Sequence, residues 1–218
     1  MKRIHRGLLV SVVVLVFLRV FTGCSGGDDP IVYYTADIIS DQLSDGDIGF
    51  LSGSYVVTQG PDTLLFGIDG VGREYRAFLD FPLDGSTGQD VIPLSAKIES
   101  AILIVRIKEM DFAWRVPTLL DLVMYDPLAL KPIDYNTLPL TYSNGSYAYR
   151  AFDLYYSDVG NDVAIDVTPL MREVQERGLS DFQVRFCLDF IPNADGLVGI
   201  DDRFHVTATA PLLSVRYY

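Results

Sequence analysis

Apolar side chains recur at every second position along several segments, and this period constrains the fold more than any other feature. The clearest segment contains Phe182, Val184, Phe186, Leu188 and Phe190. Since successive side chains of a β-strand point to opposite faces of its sheet, the pattern predicts a strand with one buried and one mostly polar face. Residues 77–83, 101–107 and 213–217 show the same period. Weaker strand candidates cover residues 53–58, 63–67, 119–125 and 147–154.

One segment has the features of a helix. Thr168 is suited to the N-cap, Pro169 to the first helical position, and Gly178 to a left-handed stop. A helix this short is not stable in isolation, so packing must hold it in place. Many strands and one short helix predict an all-β protein with a β-sandwich architecture.

The first 23 residues have the pattern of a secretory signal. A basic run, residues 1–6, precedes an apolar stretch at residues 7–18. Twelve helical residues rise about 18 Å, which is too short for a bilayer core of about 30 Å, so the stretch resembles the apolar region of a signal peptide. An ordinary signal peptide or an uncleaved membrane anchor would each account for this pattern.

Residues 21–24, Phe-Thr-Gly-Cys, resemble the lipobox of bacterial lipoproteins. In that family the cysteine is acylated and becomes the mature N-terminus, which here implies Cys24 as the lipidation site. The resemblance divides the chain into a signal peptide (1–23), a lipidated cysteine with a flexible tether (24–30) and a single β-sandwich domain (31–218). It implies attachment to the membrane through acyl chains and a place in the cell envelope. Ser25 after the cysteine is similar to the outer-membrane sorting pattern of Gram-negative lipoproteins, and exposure at the cell surface is then expected.

The net negative charge of the chain bears on two kinds of partner, nucleic acids and membrane surfaces. Lys+Arg number 17 and Asp+Glu 29, a net charge of −12. Removal of residues 1–23 takes away four basic and no acidic side chains, which leaves 195 residues with a net charge of −16. A nucleic-acid partner is excluded because such binding needs a basic face. Anionic headgroups would also repel this chain, so acyl chains and not a basic patch must supply the membrane attachment.

Five short motifs lie at residues 76–81, 98–103, 166–168, 178–185 and 211–217. Their order resembles that in the DNRLRE-type domains, which are related to a carbohydrate-binding module family. The third, Asp-Val-Thr, is the one that opens a short helix in that family. The family's Trp-containing middle stretch has no counterpart in residues 126–144. The resemblance implies a jelly-roll-like antiparallel β-sandwich with a role in glycan contact or surface display.

The residues offer little for catalysis. His205 is the one histidine left after processing, and no Gly-x-Ser-x-Gly or phosphate-binding loop is present. We therefore expect no enzymatic activity and no required cofactor. The alternative is a carbohydrate-active enzyme, a polysaccharide lyase or hydrolase built on a β-sandwich, because such enzymes work with Tyr, Arg and carboxylates.

Acidic residues near turns suggest calcium as a candidate ligand, since this cation takes carboxylate and carbonyl oxygens from loops. The expected cluster consists of Asn193, Asp195, Asp201 and Asp202. No EF-hand spacing accompanies it. The alternative interpretation is that these are ordinary turn formers and solubilising surface groups.

Aromatic residues are the candidates for glycan binding. Tyr147, Tyr149 and Tyr155 share one parity along a predicted strand, and Trp114 is the only tryptophan. Exposed aromatic faces stack on sugar rings, whereas buried ones pack as core or cross-strand pairs, and both alternatives stay open. The expected function is surface display, adhesion or assembly, with weak binding of a glycan or of an envelope protein.

Overall fold

A computed structural model describes residues 30–86, 90–189, 195–203 and 209–218. Within these ranges the chain forms twelve β-strands, one α-helix and two short 3₁₀ helices. The strands are β1 Tyr34–Ile39, β2 Gly46–Leu51, β3 Ser54–Gln59, β4 Thr63–Ile68, β5 Glu74–Pro82, β6 Ile98–Asp111, β7 Arg115–Leu122, β8 Tyr149–Tyr155, β9 Asp162–Asp166, β10 Asp181–Leu188, β11 Gly196–Asp201 and β12 Leu212–Tyr217. The helix α1 spans Thr168–Arg177, and the 3₁₀ helices span Pro132–Asn136 and Tyr156–Asp158. All of these elements lie in one compact unit, Tyr33–Tyr218.

All strand pairs are antiparallel, and the prediction of an all-β sandwich with one short helix is confirmed. The first layer has the order β1-β12-β6-β9, and the second contains β3-β2-β5-β10-β7-β8 with β4 and β11. Strand β6 belongs to both layers, because residues 98–104 pair with β12 whereas residues 107–111 pair with β11. A register shift in β11 between Gly199 and Ile200 accompanies the crossing, as is usual where a strand changes sheets.

The main core lies between the two layers and contains the alternating residues that the sequence pattern indicates. The inward side chains of β5, β6, β10 and β12 are nearly all inaccessible to solvent. Phe66 and Phe186 pack with ring centroids 5.4 Å apart, and Phe81 and Phe182 with centroids 6.1 Å apart. Complete burial of such side chains stabilises the domain by about 1.5–3 kcal/mol each.

The helix begins one residue earlier than predicted, at Thr168, because Val167 and not Thr168 is the N-cap. The Asp166 carboxylate accepts the Thr168 N–H at 2.9 Å, while Thr168 Oγ1 accepts the Ala101 N–H of β6 at 2.9 Å. The Thr168 hydroxyl therefore fastens the helix to the sheet and does not cap it. Gly178 ends the helix with φ 64°, which confirms the predicted left-handed stop.

The opposite face of β10 is polar, as predicted, but it is also buried. Gln183, Arg185 and Cys187 are only 6%, 4% and 5% exposed. They lie beneath the connection between β7 and β8, whose apolar side chains form a second, smaller core on this outer face of the second layer. This core contains Ile48, Phe78, Val123, Tyr125, Leu130 and Tyr135. The β7–β8 connection thus covers part of the outer face of this layer.

Candidate functional site

A cleft of about 420 Å³ opens on the outer face of the second layer, beside the β7–β8 connection. The side chains that matter for its chemistry are Arg76, Asp121, Tyr147, Tyr149, Arg185 and Cys187. Its volume lies at the lower end of the range for small-molecule sites.

Strand register brings the polar residues of the cleft into one row. Tyr149 of β8 lies opposite Asp121 of β7, and Asp121 lies opposite Arg185 of β10. Residues directly opposite each other in an antiparallel pair point to the same face, so the three side chains project together on the outer face. Tyr147 stands two residues before Tyr149 and is held by an isolated bridge to Thr141.

A buried ion pair forms the floor of the cleft. Arg185 Nη2 lies 2.6 Å from Asp121 Oδ2, with the two side chains 4% and 7% exposed. Arg185 Nη1 donates to the carbonyl oxygens of Tyr135 at 3.1 Å and Thr137 at 2.8 Å. The guanidinium thus joins β7 and β10 to the connection that covers them.

A second arginine of the cleft is also paired. Arg76 Nε and Nη2 both donate to Glu74 Oε1 at 3.0 Å, and Nη1 donates to the Tyr135 carbonyl at 2.6 Å. Its guanidinium carbon lies 4.0 Å from the centroid of the Tyr135 ring, a cation–π contact. Both guanidinium groups of the cleft are therefore matched by carboxylates, and neither stands as an uncompensated positive charge.

Cys187 lies in the same cleft and is a free cysteine. Burial, together with the charge of Asp121, raises the pKa of its thiol to about 12. The sulfur lies 3.6 Å from Asp121 Oδ2. Since the thiolate is the nucleophilic form, this thiol is not activated at neutral pH.

The four predicted aromatic residues fall into two separate places. Tyr147 and Tyr149 are each 48% exposed in the cleft, so neither belongs to the core. Tyr155 lies at the other end of β8, six residues or about 20 Å away, where its ring centroid is 6.1 Å from that of Trp114. Trp114 is largely exposed. The shared parity correctly placed Tyr149 and Tyr155 on one face of β8, but it did not indicate their separation along the strand.

The predicted calcium ligands are not gathered around one point in the described part of the chain. Asn193 lies outside the described residues, and Asp195 is exposed. Asp201 binds Arg203 with both carboxylate oxygens, at 2.8 and 2.6 Å. Asp202 faces the interior, where it accepts a hydrogen bond from Ser40 at 3.4 Å. Among the described residues no group of three or more acidic, histidine or cysteine side chains is arranged for a metal ion.

Sequence reasoning missed a group of buried carboxyl groups, because their residues lie far apart in the chain. Asp45, Asp80 and Asp202 are all at most 1% exposed, and Asp45 Oδ1 accepts the Asp80 N–H at 2.7 Å. Burial raises the pKa of Asp202 to about 8 and, with the charge of Asp181, that of Asp80 to about 7. Burial and the neighbouring charge of Asp202 raise the pKa of Asp45 well above its usual value. The position of Asp80 between Phe78 and Pro82 on one strand face was the available signal.

Like Asn193, two further residues singled out in the sequence fall outside the described ranges: Cys24, the predicted lipidation site, and His205. Among the described residues, no helix has the length and apolar character needed to span a membrane. No protein-family model matches the chain, and no curated protein matches it.

Proposed function

We propose that the chain is a non-catalytic, lipid-anchored surface protein whose β-sandwich binds a neutral glycan weakly through the cleft at Tyr147 and Tyr149. The observation that carries this proposal is the pair of half-exposed tyrosine rings above a floor of paired arginine and carboxylate groups. A sugar ring offers apolar C–H faces and polar edges. The tyrosine rings suit the faces, and the polar groups suit the hydroxyls.

Charge favours a neutral ligand over an anionic one. The guanidinium groups of Arg76 and Arg185 are bound to Glu74 and Asp121, so they offer no free positive charge to a uronic acid or sulfate. The net charge of −16 expected for the mature chain would also repel an anionic polymer. The resemblance to DNRLRE-type domains supports glycan contact in general but not a particular sugar.

The non-catalytic part of the proposal rests on the state of the groups in the cleft. Cys187 is a protonated thiol at neutral pH, and the Asp121 carboxylate is held by Arg185. A carbohydrate-active enzyme is the competing function. Incubation of the purified protein with a polysaccharide panel, followed by assays for reducing ends and unsaturated products, distinguishes the two. Turnover that Asp121→Asn or Tyr149→Phe abolishes would refute the binding-only assignment.

Attachment through Cys24 is tested separately. Cys24→Ser should release the protein from the membrane fraction or leave it unprocessed, because the acyl chains would be lost. An unchanged membrane fraction together with an unchanged mature mass would contradict the lipoprotein assignment.

Glycan binding is tested on an array of glycans with and without calcium. We expect binding of neutral glycans that Tyr147→Ala and Tyr149→Ala each reduce. Tyr156→Ala is the matched control, because Tyr156 is 63% exposed and does not line the cleft. Thermal unfolding of each variant separates loss of binding from loss of fold. If both cleft variants fold and bind as the wild type does, the cleft is not the glycan site and a protein partner becomes the better hypothesis.

A further inference from the structure

Four tyrosines form a cluster where β1 meets β12, and we call Tyr33, Tyr34, Tyr217 and Tyr218 the tyrosine cluster. Tyr34 lies opposite Tyr217 in the strand register, and their rings stack with centroids 5.7 Å apart. Tyr33 contacts Tyr218 edge-on, with centroids 5.5 Å apart. Tyr217 also packs against the main core, and the contacts with Tyr217 and Tyr218 order the more exposed rings of Tyr34 and Tyr33.

Three rings of the tyrosine cluster are exposed, and two basic side chains lie against them. Tyr34 is 56% exposed, Tyr218 43% and Tyr33 41%. The guanidinium carbon of Arg216 lies 4.3 Å from the centroid of Tyr33, and Lys97 Nζ lies 5.8 Å from that of Tyr218. Glu99 neutralises Arg216 at 2.9 Å. Lys97 therefore supplies the excess positive charge beside these rings, on a chain with a net charge of −12.

The position of the tyrosine cluster in the chain indicates what would cover it. Tyr33 is the first residue of the compact unit, and it follows Cys24 by nine positions. Nine residues span at most about 32 Å when fully extended. If Cys24 is acylated, the point where the chain enters the domain is therefore held within this distance of the bilayer.

We infer that the tyrosine cluster rests on the lipid surface, with its rings at the level of the headgroups. Tyrosine is enriched at membrane–water interfaces, because its ring is apolar and its hydroxyl is polar. Lys97 lies beside the Tyr218 ring, where its charge would be attracted by anionic lipids, whereas the charge of Arg216 is compensated by Glu99. This inference rests on the proposed acylation of Cys24, and it deepens that proposal by assigning the domain an orientation.

The orientation has a consequence for the far end of the sandwich. Tyr217 pairs with Ile98, the first residue of β6, whereas Trp114 follows the last residue of β6 by three positions. Strand β6 contains 14 residues and would span about 45 Å if straight. Trp114 is consequently expected to stand away from the membrane, and it provides an internal control.

The test uses the mature, acylated protein in vesicles of phosphatidylethanolamine and phosphatidylglycerol that contain a lipid with a nitroxide on its headgroup. The wild type is a single-tryptophan protein and reports on Trp114. Two variants in a Trp114→Phe background, Tyr33→Trp and Tyr218→Trp, report on the tyrosine cluster. Thermal unfolding checks that each variant is folded. If one of the two reporter variants does not fold, the other is sufficient for the test. Flotation of the vesicles measures anchoring independently.

We expect all three proteins to float with the vesicles, and the nitroxide to quench the reporters at positions 33 and 218 but not Trp114. Flotation with equal quenching at all three positions would overturn the inference while leaving the lipid anchor intact. Failure to float would refute the anchor and the inference with it. A change in reporter emission with protein concentration in the absence of lipid would assign the tyrosine cluster to a second copy of the chain and would also overturn the inference.

Discussion

The buried ion pair between Asp121 and Arg185 leads to the most specific prediction about stability. Asp121→Asn keeps the shape of the side chain but removes the charge that compensates a guanidinium only 4% exposed. Removing one partner of a buried pair typically costs about 3–5 kcal/mol, because the remaining charge stays in a region of low polarity. The carbonyls of Tyr135 and Thr137 still accept hydrogen bonds from Arg185, so we expect a loss of about 3 kcal/mol in the free energy of unfolding.

The matched control is the exposed pair between Arg106 and Asp162, whose side chains are 34% and 51% exposed at an N–O distance of 3.1 Å. Asp162→Asn should cost no more than about 1 kcal/mol, because water already solvates both groups. Urea unfolding followed by circular dichroism measures both variants. In thermal unfolding, 3 kcal/mol corresponds to a decrease of roughly 6–12 °C in Tm for a domain of this size. Equal small losses in the two variants would refute the argument that burial makes the Asp121–Arg185 pair important.

Three further predictions concern other parts of the domain. The pKa of Asp202 is about 8 in the folded state and near 3.8 when unfolded, so the wild type should lose stability as the pH rises from about 4 to 8. Asp202→Asn should stabilise the protein by on the order of 2 kcal/mol at pH 8 and have little effect at pH 4, as measured by urea unfolding at both pH values. A Cys24→Ser variant should react with a thiol reagent at Cys187 only after unfolding, because that thiol is buried with its pKa raised to about 12, and rapid native labelling would contradict this. Gly67→Ala should destabilise the domain far more than Gly145→Ala, although both residues have positive φ. A Cβ at position 67 would lie 2.1 Å from the Gly196 carbonyl oxygen, whereas one at position 145 would meet no atom within 4 Å. Similar Tm values for the two variants would show that the backbone relaxes around position 67.

The sequence pattern predicts the strands that form the main core, because alternation is a local signal. Each inward residue of β10, for example, follows the period of two. The burial of the opposite face could not be predicted in this way. Its cover comes from the β7–β8 connection, where Tyr125 and Leu130 follow no period and lie more than 50 positions away from β10.

The candidate site was predictable only in part for a related physical reason. Parity along a strand indicates which face a side chain occupies, and this placed Tyr149 and Tyr155 on the same face of β8. It does not indicate which strands are neighbours or in what register. The pairing of Asp121 with Arg185 and the meeting of Asp45 with Asp202 join residues 64 and about 157 positions apart, so both arise from the tertiary fold alone.

The central claim, that a neutral glycan binds in the cleft, is tested most directly by ¹⁹F NMR of the protein labelled with 3-fluorotyrosine. The chain has 13 tyrosines, and the spectra of Tyr147→Phe and Tyr149→Phe assign the two cleft resonances. During titration with a glycan selected on the array, the proposal predicts shifts of these two resonances while those of Tyr33, Tyr34 and Tyr218 stay in place. Shifts confined to tyrosines outside the cleft, at ligand concentrations that saturate binding, would contradict the proposal.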